Sequence, residues 1–153
     1  MEPTMNTGDR LIVNRLPVTY DALQGNPYVP ERSHVVVFRN PMFDTMRSDE
    51  FVVKRVIGLP GDRVVVTGGQ VTVFNEQNPD GFNPYANVDV YESTVTGQVD
   101  EEVKAGMIFV IGDNRGGQQS LDSRNGLGQI PLDNVVGPVA LRIYPFSKIS
   151  ANF

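Results

Sequence analysis

The sequence predicts an all-β domain built from many short strands, and three features lead to this prediction. Runs rich in valine and isoleucine have the length of single strands and are bounded by turn-forming residues. The 15 glycines and 11 prolines are scattered along the whole chain. No stretch carries apolar residues at a helical spacing over three turns. With 153 residues, of which 40% are hydrophobic, the chain is expected to form a single domain, 1–153, with its own core.

Seven runs have the length and composition of strands. They cover residues 10–14, 34–38, 51–57, 63–67, 70–74, 107–111 and 135–143. The clearest local signal is Gly68-Gly69, because a glycine pair between two β-branched runs favours a two-residue hairpin turn. Residues 75–106 are instead polar and rich in turn residues. We expect a loop-rich surface excursion there, with one or two extended pieces between two halves of the sheet system, solvated rather than built for binding.

The composition excludes several classes of function. The chain has no cysteine, which removes disulfides, thiolate catalysis and cysteine metal sites. A net charge of −5 without a basic stripe disfavours a nucleic-acid partner. No apolar run approaches the ~18 residues of a membrane-spanning helix, so the chain as given is expected to be soluble, with any anchor upstream of it. The lone histidine, His34, lacks the partners of a catalytic or metal site, and we expect no metal and no cofactor.

Lys54 is the one lysine of three that interrupts a run otherwise typical of a core strand. Because side chains alternate along a strand, Lys54 and Arg55 point to opposite faces, and Lys54 shares its face with Val52 and Val56. Desolvation disfavours the ammonium form, and a lysine with a pKa of roughly 7–8 is a competent general base. The other interpretation is an edge-strand lysine with its amine in water. The strand pattern alone does not decide between the two.

Four blocks of residues follow one another along residues 1–124. They read MEPTM at 1–5, GDRLIVN at 8–14, VVVF at 35–38 followed by KRVIGLPGD at 54–62, and GDNR at 112–115 followed by SLDSR at 120–124. One such block alone is a weak signal, whereas the ordered set of four is not expected by chance. In these blocks the chain resembles the type I signal peptidases (bacterial leader peptidases). These are membrane-anchored serine endopeptidases that use a Ser/Lys dyad.

The resemblance implies roles for particular residues. Lys54 stands where the family has its general base, and Ser120 stands where a serine orients that lysine. Asp122 and Arg124 match the acid and the arginine that brace the site. The family's nucleophilic serine would directly precede Met1, so we expect the chain as given not to cleave peptides. Within the blocks, Asp62 is expected to cap its turn and Asn114 to be structural.

The resemblance also implies a substrate and a setting. The substrate is the small-x-small cleavage region of the signal peptide of a preprotein, bound in extended form. Met1, Val37, Val52 and Val53 are candidates to line its pockets, the alternative being that they are ordinary core residues. The family's fold implies two antiparallel β-sheet lobes with an apolar face near the site that rests on lipid. The expected location is the extracytoplasmic face of the cytoplasmic membrane, with the membrane surface as a second partner and no cofactor.

The chain departs from the family pattern in two further places. Residues 116–119 lengthen the fourth block, which bears on the assignment of Ser120, and Ser33-His34 stands where the family often has Gly-Asp. Two other functions remain open. One is a catalytically dead relative that binds exported peptides, and the residue directly before Met1 would distinguish it from an enzyme. The other is a self-cleaving repressor-type peptidase, which the GLPGD and GDNR blocks and the lack of a DNA-binding element disfavour.

Overall fold

The computed structural model describes residues 1–42, 50–86, 88, 94–115 and 121–151. In this part of the chain, ten strands form two antiparallel sheets, one of six strands and one of four. The prediction of an all-β fold with two sheet lobes is confirmed. Each of the seven predicted strands is present, and its bounds differ from the prediction by one residue or less.

The six-stranded sheet contains strands from the second and third of the four sequence blocks described above. In spatial order its strands are β1 (Arg10–Val13), β10 (Val135–Tyr144), β2 (Val35–Arg39), β3 (Phe51–Gly58), β8 (Met107–Ile111) and β9 (Ile130–Pro131). The central strands β2, β3 and β8 have apolar neighbours on both faces, which is why they form nearly continuous apolar runs. In the β2–β3 register, Val36 lies opposite Lys54 and Val35 lies opposite Arg55.

The four-stranded sheet contains the predicted hairpin. Its strands, in spatial order, are β6 (Asn78–Phe82), β5 (Gln70–Asn75), β4 (Arg63–Thr67) and β7 (Val99–Glu102). Strands β4 and β5 pair from Thr67 and Gln70 outward. The two residues between them, Gly68 and Gly69, have φ of 57° and 82°, the left-handed conformation that a type I′ turn requires.

Residues 75–106 are more structured than the solvated excursion that the sequence suggests. The segment supplies the two outer strands of the four-stranded sheet, β6 and β7. It also contributes Tyr85, Val95 and Val103 to the core, with exposed fractions of 8%, 4% and 2%. These apolar residues are too far apart in the sequence to form a recognisable run, so periodicity does not reveal them.

One α-helix, α1 (Leu16–Leu23), is found in the described residues and was not predicted. None of its residues is buried, and its eight residues are too few to show an apolar period over three turns. Pro17 lies in its first turn, where proline is compatible with the start of a helix. No helix in the described ranges is long and apolar enough to cross a membrane.

Three clusters of buried side chains hold the sheets together. The first joins the two sheets and includes Ile57, Phe109 and Ile111 from one and Val64, Val66, Val71 and Val73 from the other. The second covers the opposite face of the six-stranded sheet and includes Val36, Phe38, Val56, Ile108, Val110, Leu127, Ile130 and Leu132. The third lies under the start of the chain and comprises Met5, Val35, Val37 and Val139.

The GLPGD block forms the connection from one sheet to the other. A Cβ atom on Gly58 would lie 2.7 Å from a Val64 methyl and 2.8 Å from a Val103 methyl, so only glycine lets the two sheets approach this closely. Gly61 turns the chain with φ of 87°. The Asp62 carboxylate accepts the Leu59 backbone N–H at 2.5 Å, which confirms the predicted cap.

A buried ion pair fixes the end of β8 against β3. Arg55 is fully buried and donates from Nε and Nη2 to the two carboxylate oxygens of Asp113, at 2.8 and 2.6 Å. Its Nη1 donates to the Ser33 carbonyl just before β2. Removing one partner of such a pair leaves an uncompensated charge away from water.

We therefore expect Asp113→Asn to lower the free energy of unfolding by about 3–5 kcal/mol, the range for a buried pair that loses one charge. Asp100→Asn is the matched control, since Asp100 binds Arg63 through the same two nitrogens at 2.7 and 2.6 Å. The Asp100 side chain is 56% exposed, against 1% for Asp113, and its loss should change stability little. Urea denaturation of both variants measures the difference, and equal losses would contradict it.

Candidate active site

Lys54 is buried in the middle of β3 although it carries an amine. Its exposed fraction is 8%, and its neighbours on the same face are Val52, Val56 and, across the strand pair, Val36. Burial lowers the pKa of the Lys54 amine below its ordinary value, and the Asp122 carboxylate opposes this shift in part. A water-exposed lysine on an edge strand, the other interpretation of the sequence, does not fit this burial.

Arg55 lies on the opposite face of β3, so both cations of the Lys-Arg pair are buried. Because the two side chains point to opposite faces of an apolar strand, at least one was expected to face an apolar region. In the structure both are buried, one on each face of β3. Their environments differ because Arg55 holds Asp113 in a two-bond ion pair, whereas desolvation is the largest influence on Lys54. A paired guanidinium stays charged, whereas a desolvated ammonium is the group that gives up its proton.

The first residues of the chain pack directly beside Lys54. Met5 is buried and belongs to the cluster under the start of the chain. Thr4 Oγ1 donates to the Asp113 carboxylate at 2.5 Å, which ties this segment to the Arg55 ion pair. Met1 lines the same cavity as Lys54, and the two lie within electrostatic range of each other.

The block at 120–124 supplies a second buried ion pair near Lys54. Arg124 donates from Nε and Nη2 to the Asp122 carboxylate at 2.9 and 2.7 Å, and the two side chains are 2% and 0% exposed. Asp122 also accepts the backbone N–H of Gly112 at 3.1 Å. These contacts hold a carboxylate and a guanidinium within electrostatic range of the Lys54 amine. Ser120, predicted to orient Lys54, lies outside the described residues.

A cavity of about 510 Å³ lies in front of the Lys54 amine. Of the four predicted pocket residues, Met1, Val52 and Val53 line it together with Lys54. Val37, the fourth, is buried in the cluster under the start of the chain and does not line the cavity. The cavity thus combines one desolvated amine with a lining of both apolar and polar side chains, the polar ones including Glu2 and Asp9.

The cavity follows a strand edge that is open on one side. Strand β2 pairs with β3 along residues 51–55, whereas β8 pairs with β3 only from Arg55 onward. Among the described residues, no strand pairs with residues 51–54 on the side away from β2. Within the described ranges, this part of β3 therefore has a strand neighbour on one side only.

Sequence reasoning missed three residues of the site. Asp113 was part of a recognised block but was not assigned the central ion pair that it forms with Arg55. Thr4 was treated only as a motif residue, yet it bonds Asp113 across the fold. Asn114, expected to be structural, lines the cavity. Each of these contacts joins residues that are far apart in the chain. The only sequence signal for them was that each residue belongs to one of the four blocks.

Among the described residues, no three histidine, aspartate or glutamate side chains lie close enough to hold a metal ion.

Comparison with known proteins gives one consistent result. The family model described as "Signal peptidase, peptidase S26" matches residues 1–144. Signal peptidase I U of Bacillus subtilis (strain 168) is 31% identical, over 97% of this chain and 73% of that protein. Signal peptidase IB of Staphylococcus aureus is 33% identical, over 100% of this chain and 78% of that protein.

A solved structure agrees with the sequence comparisons. The crystal structure of a signal peptidase I from Enterococcus faecalis V583 superimposes with a TM-score of 0.52 and 27% identity, covering 71% of this chain and 95% of that one. The family model spans every one of the four blocks of the sequence. The chain belongs to the signal peptidase family, peptidase S26.

Proposed function

We propose that this chain is the catalytic domain of a type I signal peptidase, which removes signal peptides from exported preproteins as a serine endopeptidase. The observation that carries the proposal is the Lys54 amine, buried in the middle of β3 and lining one cavity with Met1. Burial lowers the pKa of this amine, which is the direction that a general base requires. Membership of the family supports the same activity.

In the proposed reaction, the nucleophile is the hydroxyl of a serine directly before Met1, as in the family motif. Neutral Lys54 takes the hydroxyl proton while the serine oxygen attacks the scissile carbonyl carbon. The tetrahedral intermediate collapses to an acyl-enzyme: the peptide C–N bond breaks, and the Lys54 ammonium gives its proton to the leaving amine. Lys54 then takes a proton from water, whose oxygen attacks the ester carbonyl. The acyl C–O bond breaks, the Lys54 ammonium returns its proton to the serine oxygen, and the peptide leaves with a new carboxyl end.

The open edge of β3 supports binding of the substrate as an added strand. An extended signal-peptide segment would pair its backbone with residues 51–54. Met1, Val52 and Val53 would then contact alternate substrate side chains, since they line the cavity along that edge. Val37 supports these walls from beneath rather than touching substrate.

The residues of the fourth block have proposed positioning roles. Asp122 and Arg124, locked in their ion pair, set the local field at the Lys54 amine and hold the loop against Gly112. Ser120 is proposed to hydrogen-bond the amine and orient it toward the serine. These roles act through Lys54 and not through contact with the reacting carbonyl.

A second candidate function is an inactive relative that binds exported peptides at the membrane surface. It shares the open strand edge with the enzyme and differs from it only at the nucleophile position, which lies outside residues 1–153. The two functions therefore separate on the residue that naturally precedes Met1: a serine there supports the enzyme, whereas a glycine or an aspartate supports the inactive relative.

The exposed apolar residues support contact with a lipid surface on the extracytoplasmic side. Most of them, though not Val29 or Phe51, lie on or next to β1, α1, β10 and the short 3-10 helix Phe146–Lys148, which adjoin one another at one edge of the six-stranded sheet. Exposed fractions reach 79% for Leu16, 83% for Leu23 and 79% for Phe146. Strand β1 also supplies Leu11 to the wall of the Lys54 cavity, so a membrane under this edge would lie near the substrate.

The nucleophile is tested by adding one residue. The chain with a Gly-Ser extension before Met1, released from a fusion tag, should cleave a signal-peptide substrate, whereas a Gly-Ala extension should not. In the serine form, Lys54→Met should lower kcat/KM by roughly 10²–10⁴-fold, the usual contribution of a general base. Lys104→Met, which removes an exposed lysine, is the control and should leave kcat/KM unchanged. Turnover by residues 1–153 alone that Lys54→Met abolishes would place the nucleophile elsewhere in the chain.

The desolvation of Lys54 is tested by the pH dependence of stability. Burial lowers the pKa of Lys54 in the folded chain below its value in the unfolded chain. At a pH between these two pKa values, the unfolded chain binds more protons than the folded chain. The free energy of unfolding therefore rises with pH across this window. Lys54→Met should therefore raise the free energy of unfolding most at a pH below the pKa of Lys54 in the folded chain. The difference in free energy between the variant and the unmodified chain should shrink as the pH rises toward the pKa of an ordinary lysine. Urea denaturation as a function of pH measures this, with Lys104→Met as control. A difference that does not vary with pH would show a solvated amine.

Membrane contact is tested by cosedimentation with vesicles that contain anionic and zwitterionic lipids. We expect the double variant Leu16→Ser/Leu23→Ser to bind more weakly, because it removes exposed apolar surface while leaving the core intact. The control is Gln70→Ser/Gln77→Ser, which changes exposed polar residues of the four-stranded sheet. Equal binding by all three proteins would argue against this edge as the lipid contact.

A further inference from the structure

Three arginines of the described residues hold a carboxylate in the same way, through Nε and Nη2. The distances are 2.8 and 2.6 Å from Arg55 to Asp113, 2.7 and 2.6 Å from Arg63 to Asp100, and 2.9 and 2.7 Å from Arg124 to Asp122. This edge of a guanidinium presents two parallel N–H donors that match the two oxygens of a carboxylate or a phosphate. The fold uses this geometry both in its interior and at its surface.

Arg115 is buried with the same edge unoccupied. The residue is 7% exposed, and neither Nε nor Nη2 has a hydrogen-bond partner among the described residues. Its guanidinium stacks on the ring of Tyr85, with 3.5 Å from Cζ to the ring centroid. The Tyr85 hydroxyl is also buried without a hydrogen-bond partner in the described part of the chain. Three polar atoms thus lie together, away from water and unsatisfied.

Arg115 and Tyr85 line a cavity of about 570 Å³ against the four-stranded sheet. Thr72, Asn83 and Thr94 also line it, so polar groups surround the stacked pair. The cavity shares no lining residue with the cavity in front of Lys54. It is therefore a second concave site of comparable size, which the proposed peptidase reaction does not use.

The charges around Arg115 favour an anion. Asp113 is the one described acid that acts on the Tyr85 hydroxyl, and it is already engaged by Arg55. Burial raises the pKa of Tyr85 far above its ordinary value, so its hydroxyl keeps its proton and can donate it to an acceptor. A buried cation that pairs with no described acid, together with a neutral hydroxyl donor, suits a negatively charged oxygen pair.

We propose that Arg115 and Tyr85 form a second binding site, which takes a small anionic ligand through two oxygens of a carboxylate or phosphate group. Because Nε and Nη2 lie beneath the cavity surface, the guanidinium turns into the cavity when the ligand binds. The ligand then supplies the acceptors that Asp113, Asp100 and Asp122 supply to the other three arginines. The site is independent of the serine and Lys54, and it stands even if the peptidase proposal fails.

Chain 1–153 is titrated with sodium phosphate in one experiment and sodium succinate in another, at constant ionic strength held with sodium chloride. The readout is the arginine Nε–Hε region of a ¹⁵N-resolved spectrum, in which the Arg115 signal is identified by its absence in Arg115→Lys. We expect this signal to shift saturably with at least one of the two probes. Response to phosphate alone identifies a phosphate group as the ligand chemistry, and response to succinate alone identifies a carboxylate. The absence of a saturable shift with both probes overturns the proposal.

Variants separate the site from general salt effects. The Kd of the responding probe, measured by calorimetry, should be roughly tenfold to a hundredfold weaker for Arg115→Lys, the range for loss of a hydrogen bond to a charged group. Tyr85→Phe should weaken binding while keeping the ring under the guanidinium. Arg63→Lys, which alters an exposed arginine of the same pairing geometry, is the control and should bind as the unmodified chain does. Equal Kd values for Arg115→Lys and the unmodified chain would also overturn the proposal.

Discussion

The buried ion pair between Arg55 and Asp113 joins segments that are far apart in the sequence and adjacent in the site. Asp113 follows β8, Arg55 lies in β3, and Thr4 bonds the same carboxylate from the start of the chain. Because the pair is out of water, its geometry is tightly constrained: a shift of either partner would leave a buried charge unsatisfied. The pair therefore fixes the first residues of the chain relative to β3, which also carries Lys54.

The two neighbouring cations of β3 show how a strand separates structural from chemical roles. Alternation sends Arg55 to one face, where a carboxylate satisfies it, and Lys54 to the other, where valines surround it. The charge of Arg55 is satisfied by the Asp113 carboxylate. Desolvation instead destabilises the ammonium form of Lys54, which is the property that the proposed base requires. A single dipeptide thus supplies both an anchor and a proposed base, and the anchor keeps the base in place.

Local patterns predicted the strands and the Gly68-Gly69 hairpin because those signals depend on near neighbours in the chain. They also drew attention to Lys54, since a lysine among β-branched residues is unusual in a core strand. The strand pattern left open whether its amine is buried, and the resemblance to the family supplied its role as the base. The partners of Arg55, the burial of Tyr85 and the lining role of Asn114 were beyond such patterns. These features arise from contacts between residues more than 20 positions apart. The helix Leu16–Leu23 was missed for a different reason, because eight residues are too few to show an apolar period over three turns.

The turn at residues 112–115 directs three consecutive side chains to three different environments. Asp113 binds Arg55 in the interior, Asn114 lines the cavity in front of Lys54, and Arg115 lines the cavity of the four-stranded sheet. Any movement of this turn would act on the ion pair and on both cavities together, because adjacent backbone units cannot shift independently over so short a span. The two cavities therefore have lining residues joined by one peptide bond, Asn114 and Arg115, beside the carboxylate that Arg55 holds.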